Sequence, residues 1–522
     1  MAGILPATST RKTVRARDVA QALQRVLAGT RLRAVRVDAT TWRIEPLPVA
    51  PIRVRLPRTP PPIVEGGDII VTASKRDERL SDLPASISIL GGRALDRLAG
   101  KRGLVDLLAT TDGAFSTNLG PGRDRVFLRG VADSAFNGTS QSLVSLYLDD
   151  ARIGYSSPDP DLRMVDIDRV EILRGPQGTL YGRSATTGVV VIKTRDPALG
   201  IVEGNIAAEA GNYDLEHYYG AVNVPLVSDV IALRVSGNYY SRDGYDTHDV
   251  DKGELGYRGG AMRSTDFRAK MLIAPTSTFS VLLGVAGQNN KIYSSGNSMN
   301  LQADGTYDKL YGDVGPGTNK FRQYWAEFNL DLGGANLVYI PAFRTWTSSA
   351  LNYGRVPAIG LAVDQDISTP KDEFMTHELR LASQQGGKLK WQIGALYYQN
   401  DLRSIVKATD GYSGALLYNS DVAKKTTAAG VFGEATYALA DTTRLNAGLR
   451  YDYTKVAVDQ TYTANLNLCC GGPLGSTTYG YPEILQTQTL SGQEGKRTYR
   501  NVTYKVRLEH DLSPRNLLYA LT

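Results

Sequence analysis

The sequence predicts a mainly β protein whose largest part is a transmembrane antiparallel β-barrel, incomplete, at residues 201–522. A mixed α+β domain is predicted before it at residues 68–197, and a small partial α/β domain at residues 14–47. Three observations predict this architecture. Apolar and polar residues alternate along the second half, no apolar run reaches the roughly 18 residues that a membrane helix needs, and short turns alternate with long loops.

The first predicted element is a helix followed by two strands. Asp18 is placed to cap a helix that ends before Gly29 and buries one apolar face, made of Val19, Leu23, Val26 and Leu27. The strand-like runs LRAVRV and TWRIEPL come next. We therefore place a small α/β unit at residues 14–47.

A proline-rich linker is predicted at residues 48–67. Seven prolines lie between Glu45 and Pro62, a composition that favours an extended spacer. The first 60 residues also carry 12 Lys and Arg against 3 Asp and Glu, so the net charge of +6 of the whole chain comes from this segment. Because no basic face with interleaved aromatic residues accompanies it, nucleic-acid binding is not expected.

Residues 68–197 show a mixed pattern. Short helical patterns around Ala94–Leu98 and Leu104–Leu108 alternate with strand-like runs such as SLVSLYLDD and DRVEILRG. Turns rich in glycine and proline separate these runs. The pattern predicts one α+β domain.

From residue 201 onward the period changes to two. Examples are ALRVSGNYY, YWAEFNLDL, RLNAGLRYDY and NVTYKVRLEH, in which one face is apolar and the other carries charges. Strands of about ten residues with this alternation are typical of a membrane barrel with a polar interior. Tyrosines near strand ends fit an interfacial girdle, namely Tyr239, Tyr240, Tyr397, Tyr398, Tyr451 and Tyr453.

A soluble β-sandwich would alternate in the same way. The asymmetry of the connections favours the barrel, because short turns such as residues 227–229 contrast with long loops. We expect such loops at residues 291–320, 347–371 and 457–497.

The most informative stretch is DRVEILRGPQGTLYGRSATTGVVVIKTRDP at residues 168–197. A strand precedes a turn at Gly175, Pro176 and Gly178, a second turn follows at Tyr181–Gly182, and another strand ends the stretch. Together with VFLRG (Val126–Gly130) and SLYLDDARIG (Ser145–Gly154), it resembles the plug domain of TonB-dependent outer-membrane receptors. The resemblance implies that residues 68–197 lie inside the barrel.

Two positions depart from the family pattern. The family usually has Asn in place of Ser184 and Gly in place of Thr187. Thr187 is the more notable departure, since a β-branched residue disfavours the positive φ that glycine permits.

The segment DIIVTA lies between the linker and the plug, and it resembles the segment that family members present to TonB. Its residues are Asp68, Ile69, Ile70, Val71, Thr72 and Ala73. Apolar and β-branched residues in an exposed strand suit strand addition. An ordinary first strand of the plug is the alternative.

Both ends of the chain depart from the family. Residues 14–47 resemble the second half of the secretin and TonB short N-terminal signalling domain, and no signal peptide is visible. The roughly 12–14 alternating segments fall short of the about 22 strands of plugged importers. The chain ends at NLLYALT within a strand-like run. We therefore expect a chain truncated at both ends.

The hypothesis that the protein is an enzyme finds little support. The sequence lacks HExxH, GxSxG and the phosphate- and dinucleotide-binding motifs, and its histidines (His217, His248, His377 and His510) are scattered. His377 and Glu378 would point to opposite faces of a strand. Cys469 and Cys470 are predicted to be loop cysteines. We expect no catalysis, no cofactor and no metal site.

The resemblance implies a receptor in the cell outer membrane that imports a scarce ligand by TonB-driven remodelling of its plug. A ferric siderophore is the leading candidate ligand, with cobalamin, glycans and small aromatic compounds left open. The implied partners are TonB with its inner-membrane energising complex, outer-membrane lipid and the extracellular ligand. The alternative is surface signalling, in which the N-terminal segment in the periplasm acts on an anti-sigma regulator. A barrel enzyme is the third possibility.

The resemblance also implies contacts between plug and barrel. Arg129 and Arg174 match plug arginines that pair with barrel glutamates, and the alternation directs Glu378 and Glu434 toward the lumen. We expect these four side chains to form a shielded ionic cluster. Ligand contacts are expected at Arg123, Phe136 and Asn137.

Overall fold

The structure is a computed structural model, and it divides the chain into two compact units, residues 1–56 and 57–522. The residues that it describes are 18–27, 32–36, 42–46, 70–72, 75–76, 78–80, 83–91, 95, 103–117, 125–132, 140–154, 156–157, 160, 162–244, 260–293, 297–301, 307–356, 361–384, 386–411, 414–465, 487–513 and 516–522.

The first unit contains one helix and one hairpin. Helix α1 (Val19–Leu27) precedes strands β1 (Leu32–Arg36) and β2 (Trp42–Pro46), which pair antiparallel. The Oδ1 of Asp18 accepts a hydrogen bond from the backbone N–H of Gln21 at 2.8 Å. This bond satisfies one of the free donors at the helix start and confirms the predicted cap.

The second unit begins with the plug domain, the name used here for the α+β domain before the barrel. Its strands are β3 (Ile70–Val71), β4 (Glu78–Arg79), β5 (Ser86–Gly91), β6 (Ala114–Ser116), β7 (Val126–Leu128), β8 (Ser140–Gln141), β9 (Val144–Leu148), β10 (Ala151–Arg152), β11 (Ser156–Ser157), β12 (Ile167–Arg174) and β13 (Gly188–Thr194). Its helices are α2 (Leu104–Leu108) and α3 (Gly178–Tyr181).

Five of these strands form the plug sheet, in the order β10-β9-β13-β12-β5. Only β13 and β9 pair in parallel. Val190 and Ile192 pack on the face that contacts α2, whereas Val189 and Val191 pack on the face that contacts α3. The sheet is thus buried on both faces, which explains why its strands are continuous apolar runs rather than alternating ones.

Gly188 gives a first test of this packing. A Cβ at this position would lie 2.2 Å from the backbone oxygen of Leu173 and 2.5 Å from Cδ1 of Leu128. We expect Gly188→Ala to destabilise the plug by about 1–3 kcal/mol or more, because the strand backbone must move. A lowered urea midpoint measures the effect. Gly91→Ala, where the nearest atoms are 3.5 Å away, is the control; equal midpoints for both variants contradict the prediction.

The remaining strands form one large antiparallel sheet, called the barrel wall. They are β14 (Glu203–Gly211), β15 (Leu215–Val227), β16 (Ile231–Arg242), β17 (Ala261–Ile273), β18 (Phe279–Tyr293), β19 (Asn297–Leu301), β20 (Tyr307–Asp331), β21 (Ala335–Val356), β22 (Leu361–Ser383), β23 (Leu389–Asp410), β24 (Leu416–Ala440), β25 (Thr443–Asn465), β26 (Thr487–Ser513) and β27 (Asn516–Leu521). Each pairs with the next, except that β19 pairs only with β20, which also pairs β18.

The barrel wall has one apolar and one polar face, as predicted. Outward residues such as Val431 and Val502 are more than half exposed, whereas Asn446 and Arg450 are buried on the inner face. None of the described helices is long and apolar enough to cross a membrane. The fold is mainly β, and the apolar band lies on the outer face of its strands.

Two details of the sequence prediction are wrong. Tyr240 and Tyr398 are buried on the inner face, whereas their neighbours Tyr239 and Tyr397 face outward. Adjacent residues in a strand point to opposite sides. The predicted loops are also too long. Strand pairing continues to Tyr293, Val356 and Asn465 before the chain turns, in stretches where both faces are polar and the alternation fades.

The plug core continues into the inner face of the barrel wall. Leu107 and Leu108 of α2 share one buried cluster with Phe321, Trp325 and Trp346 of β20 and β21. Full burial of each large apolar side chain contributes about 1.5–3 kcal/mol. The plug domain is thus packed against the wall rather than standing beside it as a separate domain.

Candidate functional site

The plug domain begins with a segment held between the plug sheet and the barrel wall. We call residues 70–76 the docked segment, of which 70–72, 75 and 76 are described. Ile70 and Val71 form β3 and pair with Arg79 and Glu78 of β4. Val71 is fully buried.

Thr72 attaches the docked segment to the plug sheet. Its backbone N–H donates to both carboxylate oxygens of Glu171 at 3.1 and 3.0 Å, and its hydroxyl donates to the same group at 3.1 Å. Glu171 is fully buried on β12, and Arg169 also donates to it at 2.7 Å. A buried carboxylate needs such donors, and release of Thr72 removes two of them, which make three contacts with Glu171.

Lys75 attaches the same segment to the barrel wall. Its Nζ lies 2.5 Å from Oε1 of Glu378 on β22, and both side chains are less than a tenth exposed. The ammonium also faces three aromatic rings, with centroids 4.9 Å away in Tyr181, 5.5 Å in Phe432 and 6.0 Å in Tyr147. One cation therefore joins plug and wall through an ion pair and cation–π contacts.

Burial lowers the pKa of the Lys75 ammonium from 10.5 to about 8, although the Glu378 carboxylate opposes the shift. The docked state then binds fewer protons than the released state between these two values, so docking is favoured as pH rises through that window. The ammonium is thus a costly group to keep docked at neutral pH.

This linkage predicts a pH effect on the docked segment. Its amide protection factor, corrected for intrinsic exchange at each pH, should be larger near pH 9.5 than near pH 7. Lys75→Met has no proton to lose and should show a flat profile. A falling profile in the unmodified protein, or the same rise in Lys75→Met, contradicts the assignment.

Arg76 extends the attachment to a turn of the barrel wall. Its Nη2 donates to the backbone oxygen and hydroxyl of Ser383, at 3.3 and 3.2 Å, and to the backbone oxygen of Trp391. These residues flank the connection between β22 and β23, which is one of the short turns. The docked segment therefore lies at the end of the barrel wall that carries the short turns.

Further ion pairs join plug and wall on either side. Arg380 approaches Glu378 and Asp150, each at 3.5 Å, and Lys193 binds Asp150 at 2.6 Å. Asp166 binds Arg234 through two contacts of 2.7 Å, and Asp149 binds Lys270 at 3.2 Å. In the three contacts between the two surfaces the plug supplies the aspartate and the wall supplies the cation, so each of these buried charges has an opposite neighbour.

The expected cluster of Arg129, Arg174, Glu378 and Glu434 is not formed, and that prediction is corrected. Glu378 binds Lys75 and Arg380, as given above. Glu434 accepts from Lys505 and Asn446, each at 2.8 Å. Arg174 donates to Ser86 and Ser88 of the neighbouring strand β5.

The physical reason is that alternation predicts which face a side chain occupies, not what lies opposite. Arg129 has a φ of +57° and lies beside Gly175, where a Cβ would meet its Nη1 at 3.3 Å. Lys75, which takes the place expected for an arginine, was not predicted. Its signal in the sequence was a pair of adjacent cations, Lys75 and Arg76, one residue after the apolar segment.

The glycine-rich turn after β12 contains backbone conformations that favour glycine. Gly175 has a φ of +102° and Gly182 one of +68°, and the stretch between them forms helix α3 rather than a plain turn. Ser184 also has a positive φ, +64°, whereas Thr187 does not and donates its hydroxyl to the Leu143 carbonyl. The positive φ is thus required at Ser184, where the family pattern has Asn, and not at Thr187.

Several predicted site residues lie outside the described part of the chain. They are Asp68, Ile69, Ala73, Arg123, Phe136, Asn137, His248, Cys469 and Cys470. Within the described ranges, no group of three His, Cys, Asp or Glu side chains could hold a metal ion.

A barrel wall with a polar inner face that holds a separate α+β domain defines a plugged outer-membrane barrel. Family models agree with this class. The TonB-dependent receptor plug domain matches residues 79–189, and the TonB-dependent receptor-like β-barrel matches residues 204–521. The chain belongs to the TonB-dependent receptor family. Members of this family are transporters and receptors of the outer membrane, not enzymes.

Curated relatives match over part of their length. The ferrioxamine B receptor of Salmonella typhimurium is 28% identical over 162 residues, which cover 30% of this chain and 22% of that protein. The iron-regulated outer membrane virulence protein of Vibrio cholerae is 26% identical over 241 residues, covering 43% and 34%. The matches therefore span about a fifth to a third of these relatives.

Solved structures share the fold. The ferric yersiniabactin uptake receptor FyuA from Yersinia pestis has a TM-score of 0.68 at 17% identity, covering 84% of this chain and 64% of that one. FpvA of P. aeruginosa, solved with heterologous pyoverdines, has a TM-score of 0.55 at 13% identity and covers 95% of this chain and 76% of that one.

Proposed function

We propose that this protein imports a ferric siderophore across the outer membrane, using energy that TonB delivers from the inner-membrane complex. The observation that carries the proposal is the docked segment, which lies at the short-turn end of the barrel and holds onto both plug and wall. The TonB-contacting residues are proposed to be Asp68 to Ala73, at the start of a plug domain bounded at 68–197 within a barrel at 201–522.

The iron-carrying ligand is supported by the names of similar proteins. One curated relative is a ferrioxamine B receptor, and one structural neighbour is a ferric yersiniabactin uptake receptor. A further relative of Vibrio vulnificus is a vitamin B12 transporter, so cobalamin serves as the comparison ligand. Arg123, Phe136 and Asn137 stay proposed as ligand contacts.

Uptake of radioactive iron tests the proposal. The protein is expressed in cells that lack their own siderophore receptors. Ferrioxamine B, a catecholate siderophore and yersiniabactin are then supplied as ferric complexes, with labelled cobalamin alongside. TonB-dependent accumulation of at least one ferric complex supports import. Accumulation of cobalamin alone, or iron uptake that persists without TonB, overturns the proposal.

A second candidate function is surface signalling through the first unit. Its capped helix and antiparallel hairpin belong to a compact unit of their own. We propose that residues 14–47, a partial signalling domain after which residues 48–67 act as a linker, lie in the periplasm and contact an anti-sigma regulator. Deleting residues 14–47 should then abolish ligand-induced transcription while uptake continues; unchanged transcription excludes this function.

A further inference from the structure

The outer face of the barrel wall carries a groove of about 440 Å³ on strands β21–β25. Its lining residues are Tyr339, His377, Leu379, Ala395, Leu396, Tyr397, Ala429, Gly430, Val431, Tyr451 and Tyr453. The groove exists because two alanines stand where neighbouring positions carry large side chains. Ala429 lies between Tyr397 and Tyr453 in the pairing register, and Ala395 lies between Leu379 and Val431.

The groove is continuous with the apolar band that faces lipid. Leu379, Val431 and Tyr451 are each about half exposed and point outward. One side of the groove contains a polar pair. The Tyr339 hydroxyl lies 2.8 Å from Nδ1 of His377, and the two rings stack. An aromatic wall with polar atoms is typical of the level at which lipid chains meet their headgroups.

Two lysines lie beyond the groove on the side of the longer connections. Lys455 is two residues beyond Tyr453 on β25, and Lys425 is four residues beyond Ala429 on β24. Both point outward and are exposed. Asp401 is opposite Lys425 in the register, but it binds Lys371 at 3.1 Å. Among the described residues, neither Lys425 nor Lys455 has an ion-pair partner.

We propose that this groove binds one acyl chain of a phosphorylated lipid of the outer leaflet, with the lipid phosphate held by Lys455 and Lys425. The apolar lining suits the acyl chain. Lys455 and Lys425 lie two and four residues beyond the groove along their strands, at the level where the lipid headgroup must be. Longer connections of bacterial barrels face the outside, which places these lysines at the outer leaflet. A neutral lipid would leave both cations without a counter-charge.

Native mass spectrometry of the full chain in a mild detergent tests this, with diphosphorylated lipid A as the probe. We expect one tightly retained lipid. Filling the groove with A395F and A429F together should weaken its binding about tenfold or more, since the chain then has no room. Ala447→Phe, an exposed outward position on β25 outside the groove, is the matched control and should bind as the unmodified protein does.

The charge is tested separately with Lys425→Ala and Lys455→Ala combined. Affinity for lipid A should fall about tenfold, while affinity for the dephosphorylated lipid stays unchanged. Lys320→Ala on β20 controls for a general loss of positive charge. Equal retention by the groove-filled variant overturns the site, and equal loss for both lipids overturns the phosphate contact. Dimers that form through this face instead of lipid binding also overturn the proposal.

Discussion

Replacing Ile70 with proline should abolish TonB-dependent uptake while leaving ligand binding at the outer surface intact. Proline removes the backbone donor at the centre of the segment proposed to add as a strand to TonB. Binding should persist, because Ile70 lies in the docked segment at the opposite end of the plug from the long connections. Uptake and binding of the same ferric siderophore, measured on the same cells, separate the two steps.

The structure supplies a control for this variant. Ile70 also pairs with Arg79 of β4, so proline at position 70 weakens that pairing as well. Arg79→Pro disturbs the pairing from the other strand but leaves the donor of Ile70 in place. If strand addition is the cause, Arg79→Pro should retain uptake. Loss of uptake in both variants would assign the effect to the β3–β4 pair instead, and normal uptake by Ile70→Pro would refute the assignment.

The second large effect is expected from Glu378→Ala. The change leaves the Lys75 ammonium buried among Tyr147, Tyr181 and Phe432 without its carboxylate. Breaking a buried pair in this way costs about 3–5 kcal/mol. The lysine must either leave its position or lose its proton, and both outcomes weaken docking. Amide exchange of the docked segment at neutral pH should therefore accelerate about 100-fold or more.

Two further variants make this result specific. Glu509→Ala removes another buried inward glutamate, whose ion pairs are with Arg444 and Arg507 of the wall rather than with a described residue of the docked segment. It should leave exchange of the segment unchanged. Lys75→Met combined with Glu378→Gln removes both charges and should recover much of the protection. Faster exchange in Glu509→Ala, or none in Glu378→Ala, contradicts the proposed attachment.

The class of fold could be predicted because membrane strands must alternate. The period of two alone assigned Arg450 to the interior and Val502 to the lipid face, and both are so placed. The same rule separated His377, which faces outward beside Tyr339, from Glu378, which faces inward. These predictions depend only on the direction of neighbouring side chains in a strand.

Partners across the lumen could not be predicted in the same way. Lys75 and Glu378 are 303 positions apart, and their meeting depends on how the whole plug is rotated within the wall. Strand length was also hidden. Beyond the apolar band both faces of a strand meet water, so a pattern that marks burial carries no signal there. Ser184 shows a third limit, because its positive φ depends on the turn around it rather than on its own preference.

The strands of the barrel wall differ in length, and β14 has 9 residues whereas β26 has 27. With about 3.4 Å per residue and a tilt of about 40°, these correspond to heights of about 23 and 70 Å, against an apolar band of about 25 Å. The described part of β14 is therefore about as tall as the apolar band, while β26 extends about 45 Å beyond that height. A bulky solute approaching along the membrane surface therefore meets a lower strand end at β14 than at β26, and we expect its capture to depend on the direction of approach.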